Sequence, residues 1–371
     1  MQSIKVMAVF GTRPEAIKMC PLVKALQREP RVSCSVCVTG QHREMLHQVM
    51  ALFGVTADVD LDIMRAGQTL SGVTARVLEG LEKVFAAERP DLVLVHGDTT
   101  TSFAASLAAF YAQIPVGHVE AGLRTETIHS PFPEELNRRL TGRIAALHFA
   151  PTALAAENLL REGIAQGVFV TGNTVIDALR YTVREDYMFH EKSLSGLPKE
   201  GRIALVTAHR RENWGKPLQD ICGAVLALAD MFPDVTFVFP AHPNPTVRDT
   251  VCAVLGGHSR VCITEPLDVM DMHNLMARSY LVLTDSGGLQ EEAPALGAPV
   301  VVLRTETERP EAIEGGTAIL AGVERGAIVD AARGLFDDPA LHAAMRGAAS
   351  PYGDGYASEK IVRHILSHMD R

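Results

Sequence analysis

Along the first 172 residues, short apolar runs bounded by Gly, Pro or Asp alternate with longer segments whose apolar positions recur every three to four residues. The runs are "IKVMAVF" (4–10), "CSVCVTG" (34–40), "DLVLVHG" (91–97), "PVGHVE" (115–120), "ALHFA" (146–150) and "VFVTG" (168–172). They are too short for helices and too evenly apolar to face water on one side, which predicts strands buried on both faces. Segments such as 68–88 and 99–112 carry the helical period. Strand and helix in alternation imply βαβ units around a parallel sheet. The cycle restarts after residue 200 with "RIALVTAH", "VTFVFPAH", "RVCITEP", "SYLVLTD" and "APVVVL". The predicted class is α/β, with two doubly wound domains.

At 371 residues the chain exceeds the size at which a single core keeps growing. The stretch 185–202 is neither periodic nor strongly apolar and reads as a linker, with the boundary between 173 and 190. The predicted domains are 1–172 and 173–355, with a last helical segment, 356–371, assigned to the first. Hydrophobic residues at 47% and charged residues at 21% give an ordinary globular balance. No apolar run is long enough to span a bilayer and no signal-peptide pattern opens the chain, so a soluble, cytoplasmic protein without a membrane partner is expected. A net charge of −9 argues against nucleic acid, which needs a broad basic surface. The one C-x-x-C, Cys34 to Cys37, lies in a strand-like run where residues three apart face opposite sides, so a redox or metal role is disfavoured.

In open parallel sheets ligands bind beyond the carboxyl ends of the strands. There the sequence places "GTRPEAIK", "HGDTTTS", "VEAGLRT", "TAHRREN", "PAHPNP" and "TDSGGLQEE". Each has a plain structural explanation. Asp98 could cap a helix, Glu134 and Glu135 could sit in a first turn, and so could Glu291 and Glu292. Arg13 could be a surface side chain and His209 a core histidine. The helix after "LTDS" opens on Gly287 and Gly288, poor helix formers that either make a tight turn or bare the backbone N–H groups to an anion. No P-loop, G-x-G-x-x-G, G-x-S-x-G or H-E-x-x-H occurs, which disfavours P-loop NTPases, NAD enzymes, serine hydrolases and zinc proteases. Neither a metal nor a cofactor is expected. Arg13, Lys18, Arg210, Arg211 and Arg309 with the glycine-lined helix start suit a pyrophosphate, and the carboxylates suit proton transfer or sugar hydroxyls. A nucleotide sugar meets both demands.

The motifs "FGTRPEAIKMCPL", "QHREML", "LVHGDTTT", "VGHVEAGLRT", "PFPEELNR", "GNTVIDAL", "TAHRREN", "LTDSGGLQEEAPALGAPV" and "TERPE" together resemble the non-hydrolysing bacterial UDP-N-acetylglucosamine 2-epimerases over nearly the whole chain. The resemblance implies a GT-B-type fold, with two Rossmann-like domains facing a central cleft, and a homodimer. It also implies interconversion of UDP-GlcNAc and UDP-ManNAc for cell-surface polysaccharides, by elimination and re-addition of UDP through 2-acetamidoglucal. Carried over residue by residue, Asp98, Glu120, Glu134 and His209 form the acid/base and charge-stabilising set, with the group that takes the C2 proton left open. Arg13, Lys18, His209 and Arg309 would meet the diphosphate and sugar. Ser286, Gly287 and Gly288 would donate to the phosphates, Glu292 would accept from the ribose, and Met272 would stand by the uracil where many members have Phe.

Other departures are Thr305 and Glu306 before Arg309. A second, regulatory UDP-GlcNAc site would involve Gln41, Arg210 and His242. Glu44 and Gly67 stand there in place of the usual Gln and Arg, and both changes weaken anion binding. The alternatives are a hydrolysing 2-epimerase that releases ManNAc and UDP, a GT-B glycosyltransferase, and a silent UDP-sugar sensor.

Overall fold

A computed structural model describes residues 3–40, 43–65, 67–198 and 201–369, without the side chains of 43–45. Among the described residues there are two parallel sheets. The first joins β1 (Ile4–Phe10), β2 (Val32–Val38), β3 (Val59–Asp60), β4 (Leu92–His96), β5 (Val116–Val119), β6 (Leu147–Ala150) and β7 (Val168–Val170) in the order β3-β2-β1-β4-β5-β6-β7. The second joins β8 (Arg202–Thr207), β9 (Val235–Pro240), β10 (Val261–Thr264), β11 (Leu281–Thr284), β12 (Val300–Val302) and β13 (Ala318–Leu320) in the order β10-β9-β8-β11-β12-β13. Both sheets reverse direction of winding beside their first strand, between β1 and β4 and between β8 and β11. The crevice at such a switch point is where doubly wound sheets take ligands.

Local sequence explains the elements. β1 carries Val6 to Phe10 without exposure because helices cover both faces. The helix Arg13–Arg28 starts where Thr12 and Glu15 form a capping box with Pro14 in the first turn. On one side of the first sheet Met7, Val9, Val93 and Val95 pack with Val77, Leu81, Phe85 and Ala105. In the second unit Val206, Phe237, Phe239 and Leu283 pack with Ile221, Val225, Leu228 and Leu335. Truncating a core aromatic such as Phe239 to Ala would cost about 3–5 kcal/mol. The short edge strands β3 and β13 are absent from the periodicity reading, since two or three residues give no period.

The chain separates into one unit of residues 1–181 and 352–371 and another of 182–351, nine residues beyond and four before the boundaries read from the sequence. The helix Thr174–Thr182 accounts for the first difference. Its Asp177 accepts from the backbone N–H groups of Ala357 and Ser358 at 3.1 and 2.7 Å, capping the last helix, Ala357–Met369. Arg180 donates to the Gly355 carbonyl at 2.8 Å. The stretch 185–198 is not a loose linker either. Buried Asp271 accepts from the Tyr187 hydroxyl at 2.8 Å and from the N–H groups of His190 and Glu191 at 2.9 and 2.8 Å, pinning it to the helix Val269–Arg278. Two of those donors are backbone groups, which residue types do not reveal.

Candidate active site

Each unit gathers its own group of polar residues at the carboxyl ends of its strands. In the first unit Glu120 follows β5 with φ +62°, a left-handed conformation uncommon outside glycine, and is nearly fully buried. Strain of this kind persists where surroundings over-determine the residue, often at functional positions. Both Glu120 oxygens lie 2.7 Å from Lys18 Nζ, and Asn173 Nδ2 donates to Oε1 at 3.4 Å. His96 Nε2 stands 2.7 Å from Oε2, but the ring is not aligned for a well-formed hydrogen bond along that contact. Burial alone would raise the Glu120 pKa, yet the Lys18 ammonium and the His96 ring hold the carboxyl well below its usual range. It is an anion at neutral pH.

Asp98, after β4, is not a helix cap. Thr99 takes that place for the helix Thr100–Tyr111, accepting from Ser102 N at 3.0 Å. The Asp98 carboxylate instead meets Arg138 side-on, at 2.8 Å from Nε and 2.7 Å from Nη2. Burial would lower the Arg138 pKa, but Asp98 and Glu135 raise it, so the guanidinium stays charged. Arg138 belongs to the helix Glu134–Ile144, where Glu134 is half-exposed in the first turn. Its neighbour Glu135 is buried and binds Arg138, Arg139 and the Thr125 N–H. Arg13, half-exposed at its helix start, has no ion-pair or hydrogen-bond partner through its side chain among the described residues.

In the second unit the loop after β8 is held by Asp285, which follows β11 and is fully buried. Its Oδ2 accepts from the N–H groups of His209 and Arg210, each at 2.8 Å, and from Asn213 Nδ2 at 3.0 Å. His209 Nδ1 lies 3.4 Å from the other oxygen, and its ring stacks on His242 at 5.6 Å. The side chain is 38% exposed, too open for a core histidine. Burial lowers its pKa, Asp285 opposes, and His242 and Arg210 lower it further; the net shift is downward, leaving a neutral imidazole at pH 7.

The helix Gly287–Ala295 begins without a side-chain cap from Ser286, and neither Gly287 nor Gly288 has a positive φ. The turn therefore does not require glycine. A Cβ on Gly287 would lie 3.1 Å from Glu308 Oε1, and one on Gly288 would lie 3.4 Å from Glu292 Oε1. What the glycines leave is an uncovered row of amides at a helix start, suited to an anion. Glu291 and Glu292 fall beyond the first turn, so they are not there for the dipole. Glu291 pairs with Arg309 and Glu292 Oε2 lies 3.3 Å from His273 Nε2. Met272, half-exposed, precedes that histidine on its helix. Arg210 lies 3.4 Å from Glu308, a carboxyl that burial would raise but Arg304 and Arg309 hold below its usual range. Gln41 and the Glu44 side chain lie outside the described residues, so only Arg210 and His242 of the expected regulatory lining are placed.

The sequence reading therefore missed His96, Asn173, Arg138 and Asp285. Three of them stand inside motifs that it quotes, "LVHGDTTT", "GNTVIDAL" and "LTDSGG", and Arg138 ends "PFPEELNR". The strand-end positions of His96, Asn173 and Asp285 were the available signal; Arg138, inside a helix, had none of that kind. Their partners were not legible, because contacts 40, 53 or 76 residues apart arise only from the sheet order. The Cys34 and Cys37 thiols are pushed up to about 12 by burial, far from the thiolate that redox chemistry needs.

Residues 24–366 match the sequence pattern of the family described as UDP-N-acetylglucosamine 2-epimerase. The UDP-N-acetylglucosamine 2-epimerase of Bacillus subtilis strain 168 is 53% identical over 369 residues, 99% of this chain and 96% of that protein. That of Escherichia coli K12 is 50% identical over 373 residues, 98% and 99% of the two chains. The crystal structure of the Neisseria meningitidis enzyme bound to UDP-GlcNAc superposes with a TM-score of 0.89 at 47% identity, covering 98% of this chain and all of the other. Fold, strand-end chemistry and likeness along the full length agree, and the chain belongs to the UDP-N-acetylglucosamine 2-epimerase family.

Proposed function

We propose that the protein interconverts UDP-GlcNAc and UDP-ManNAc without hydrolysing them, supplying cell-surface polysaccharide synthesis. In the forward direction the C2 proton passes to a base and the C1–O bond breaks. The electron pair forms the C1=C2 bond of 2-acetamidoglucal, and UDP leaves with the other pair. Re-addition of UDP, with a proton delivered to the opposite face of C2, gives the epimer. Inversion at C2 requires proton transfer on two faces, hence more than one acid/base group. The observation that carries this reading is the pair of carboxylates at adjacent strand ends, each against a cation, Glu120 on Lys18 and Asp98 on Arg138. Glu120 rests in the proton-accepting form.

The remaining roles follow the chemistry of the side chains. Glu134 and the neutral His209 complete the acid/base set, and Arg13, Lys18 and Arg309 offset the charge on the departing diphosphate. Ser286 and the amides of Gly287 and Gly288 receive the phosphates, Glu292 the ribose, and Met272 the base. UDP-GlcNAc seated in the Neisseria meningitidis relative supports this substrate. Arg210 is paired with Glu308 and His242 with His209, which leaves little free cationic capacity for a regulatory nucleotide. The test is turnover of UDP-GlcNAc in D₂O followed by proton NMR. Deuterium at C2 of both recovered sugars is expected; epimerisation without label would refute elimination. UDP released in proportion to turnover would select the hydrolysing reaction instead.

A further inference from the structure

Resting on that reading, the geometry points to His96 as a positioning residue that lets Glu120 carry a proton during the reaction and give it up again. Three side chains surround the Glu120 carboxylate: Lys18 from the Arg13–Arg28 helix, Asn173 from the start of the Thr174–Thr182 helix, and His96 from the end of β4. Lys18 can only donate, and Asn173 turns its donating nitrogen toward Oε1. A carboxylate in that setting is well held as an anion, but a protonated carboxyl among donors would have nowhere to point its hydrogen. An imidazole nitrogen can donate in one state and accept in the other.

His96 Nε2 meets that need. It is 2.7 Å from Oε2, its residue is 4% exposed, and among the described residues it has no other hydrogen-bond partner. A buried polar atom left without a formed bond is uncommon and costs stability unless it serves something. Here, with the imidazole hydrogen on Nδ1, a small turn of the ring lets Nε2 accept a hydrogen bond from Oε2–H once Glu120 has taken the proton from C2. On re-delivery to the sugar the proton leaves Oε2 and the resting contact returns. Beside His96 lies His118, whose Nε2 contacts the Gly97 carbonyl at 2.8 Å. Burial takes its pKa down to about 3, so it adds no charge to the exchange.

Full-length wild type is compared with His96→Leu, His96→Asn and His96→Gln. Glutamine reaches the Nε2 position and its amide can donate or accept; asparagine is polar but too short; leucine does neither. UDP-GlcNAc epimerisation and C2 deuterium exchange are followed by NMR from pH 6 to 9. Expected are kcat losses of about 100-fold for Leu and Asn with KM within about threefold, and recovery of at least about tenfold of that loss by Gln. Two results overturn the inference: Leu and Asn within about threefold of wild-type kcat, or Gln as impaired as Asn. A wild type that neither epimerises nor exchanges C2 hydrogen would overturn the functional reading itself, and this inference with it.

Discussion

Replacing Lys18 with Met tests whether Glu120 is held as a buried anion. Lys18 is 19% exposed and Glu120 6% exposed at the side chain, with both carboxylate oxygens 2.7 Å from the ammonium. Solvent screening of this pair is therefore small. Methionine keeps most of the length and removes the charge, leaving the carboxylate with Asn173 and the misaligned His96. Breaking a buried pair from one side costs about 3–5 kcal/mol. With a urea slope of about 2–3 kcal/mol/M, the unfolding midpoint should fall by about 1–2 M.

The pH dependence sharpens the test. In the wild type the folded Glu120 titrates below its unfolded value of about 4.3. Its stabilisation is therefore complete above that value and is lost as pH falls through the depressed folded pKa. In Lys18→Met burial has less opposing it, so the folded pKa climbs above the unfolded one. The cost of the buried charge is then felt above that raised pKa and relieved as pH falls through it. The stability gap should be widest near pH 8 and close toward pH 5. Urea unfolding by far-UV circular dichroism at several pH values measures it. Trp214, the single tryptophan, reports the second unit separately by fluorescence. A gap below about 1 kcal/mol, or one that stays constant with pH, would refute the argument. Adding Glu120→Gln to Lys18→Met should recover much of the loss, since the stranded charge is gone.

Other outcomes follow from the same geometry. Asp98→Asn should lower kcat by about 10²- to 10⁴-fold while calorimetry shows UDP binding within about threefold of wild type; retained activity would remove Asp98 from the chemistry. Gly288→Val should weaken UDP binding by about 10-fold or more in the same titration, because a branched side chain would cover the helix-start amides; unchanged affinity would mean the phosphates do not come there. Asp285→Ala should destabilise the second unit by about 3–5 kcal/mol in urea titrations read at Trp214, since it strands two backbone donors and the Asn213 amide. A shift under about 1 kcal/mol would show that water replaces the carboxylate.

The architecture was legible because a parallel sheet buried on both faces leaves uninterrupted apolar runs, and β1, β4, β8 and β11 are such runs. Edge strands β3 and β13 were not, being too short to show a period. Glu120 and His209 could be picked out by their place after strands, and so could Ser286 before its helix. The structure adds what holds them. Asp98 meets an arginine 40 residues away, His209 hangs from an aspartate 76 residues away, and Lys18 reaches Glu120 across 102 residues. Such distances close only when the strand order is known. The same holds for Thr99, which takes the cap that Asp98 would otherwise fill, and for Asp177, whose acceptance of two amides moves the boundary to the end of the Thr174–Thr182 helix.

The tie between Asp177 and the amides of Ala357 and Ser358 carries a consequence for synthesis. The first unit owns a helix that is made only after the whole of the second, so it cannot finish assembling until residues 182–351 have been synthesised. Residues 182–351 emerge as an uninterrupted block and can mature first. Order of translation and order of completion are thereby reversed.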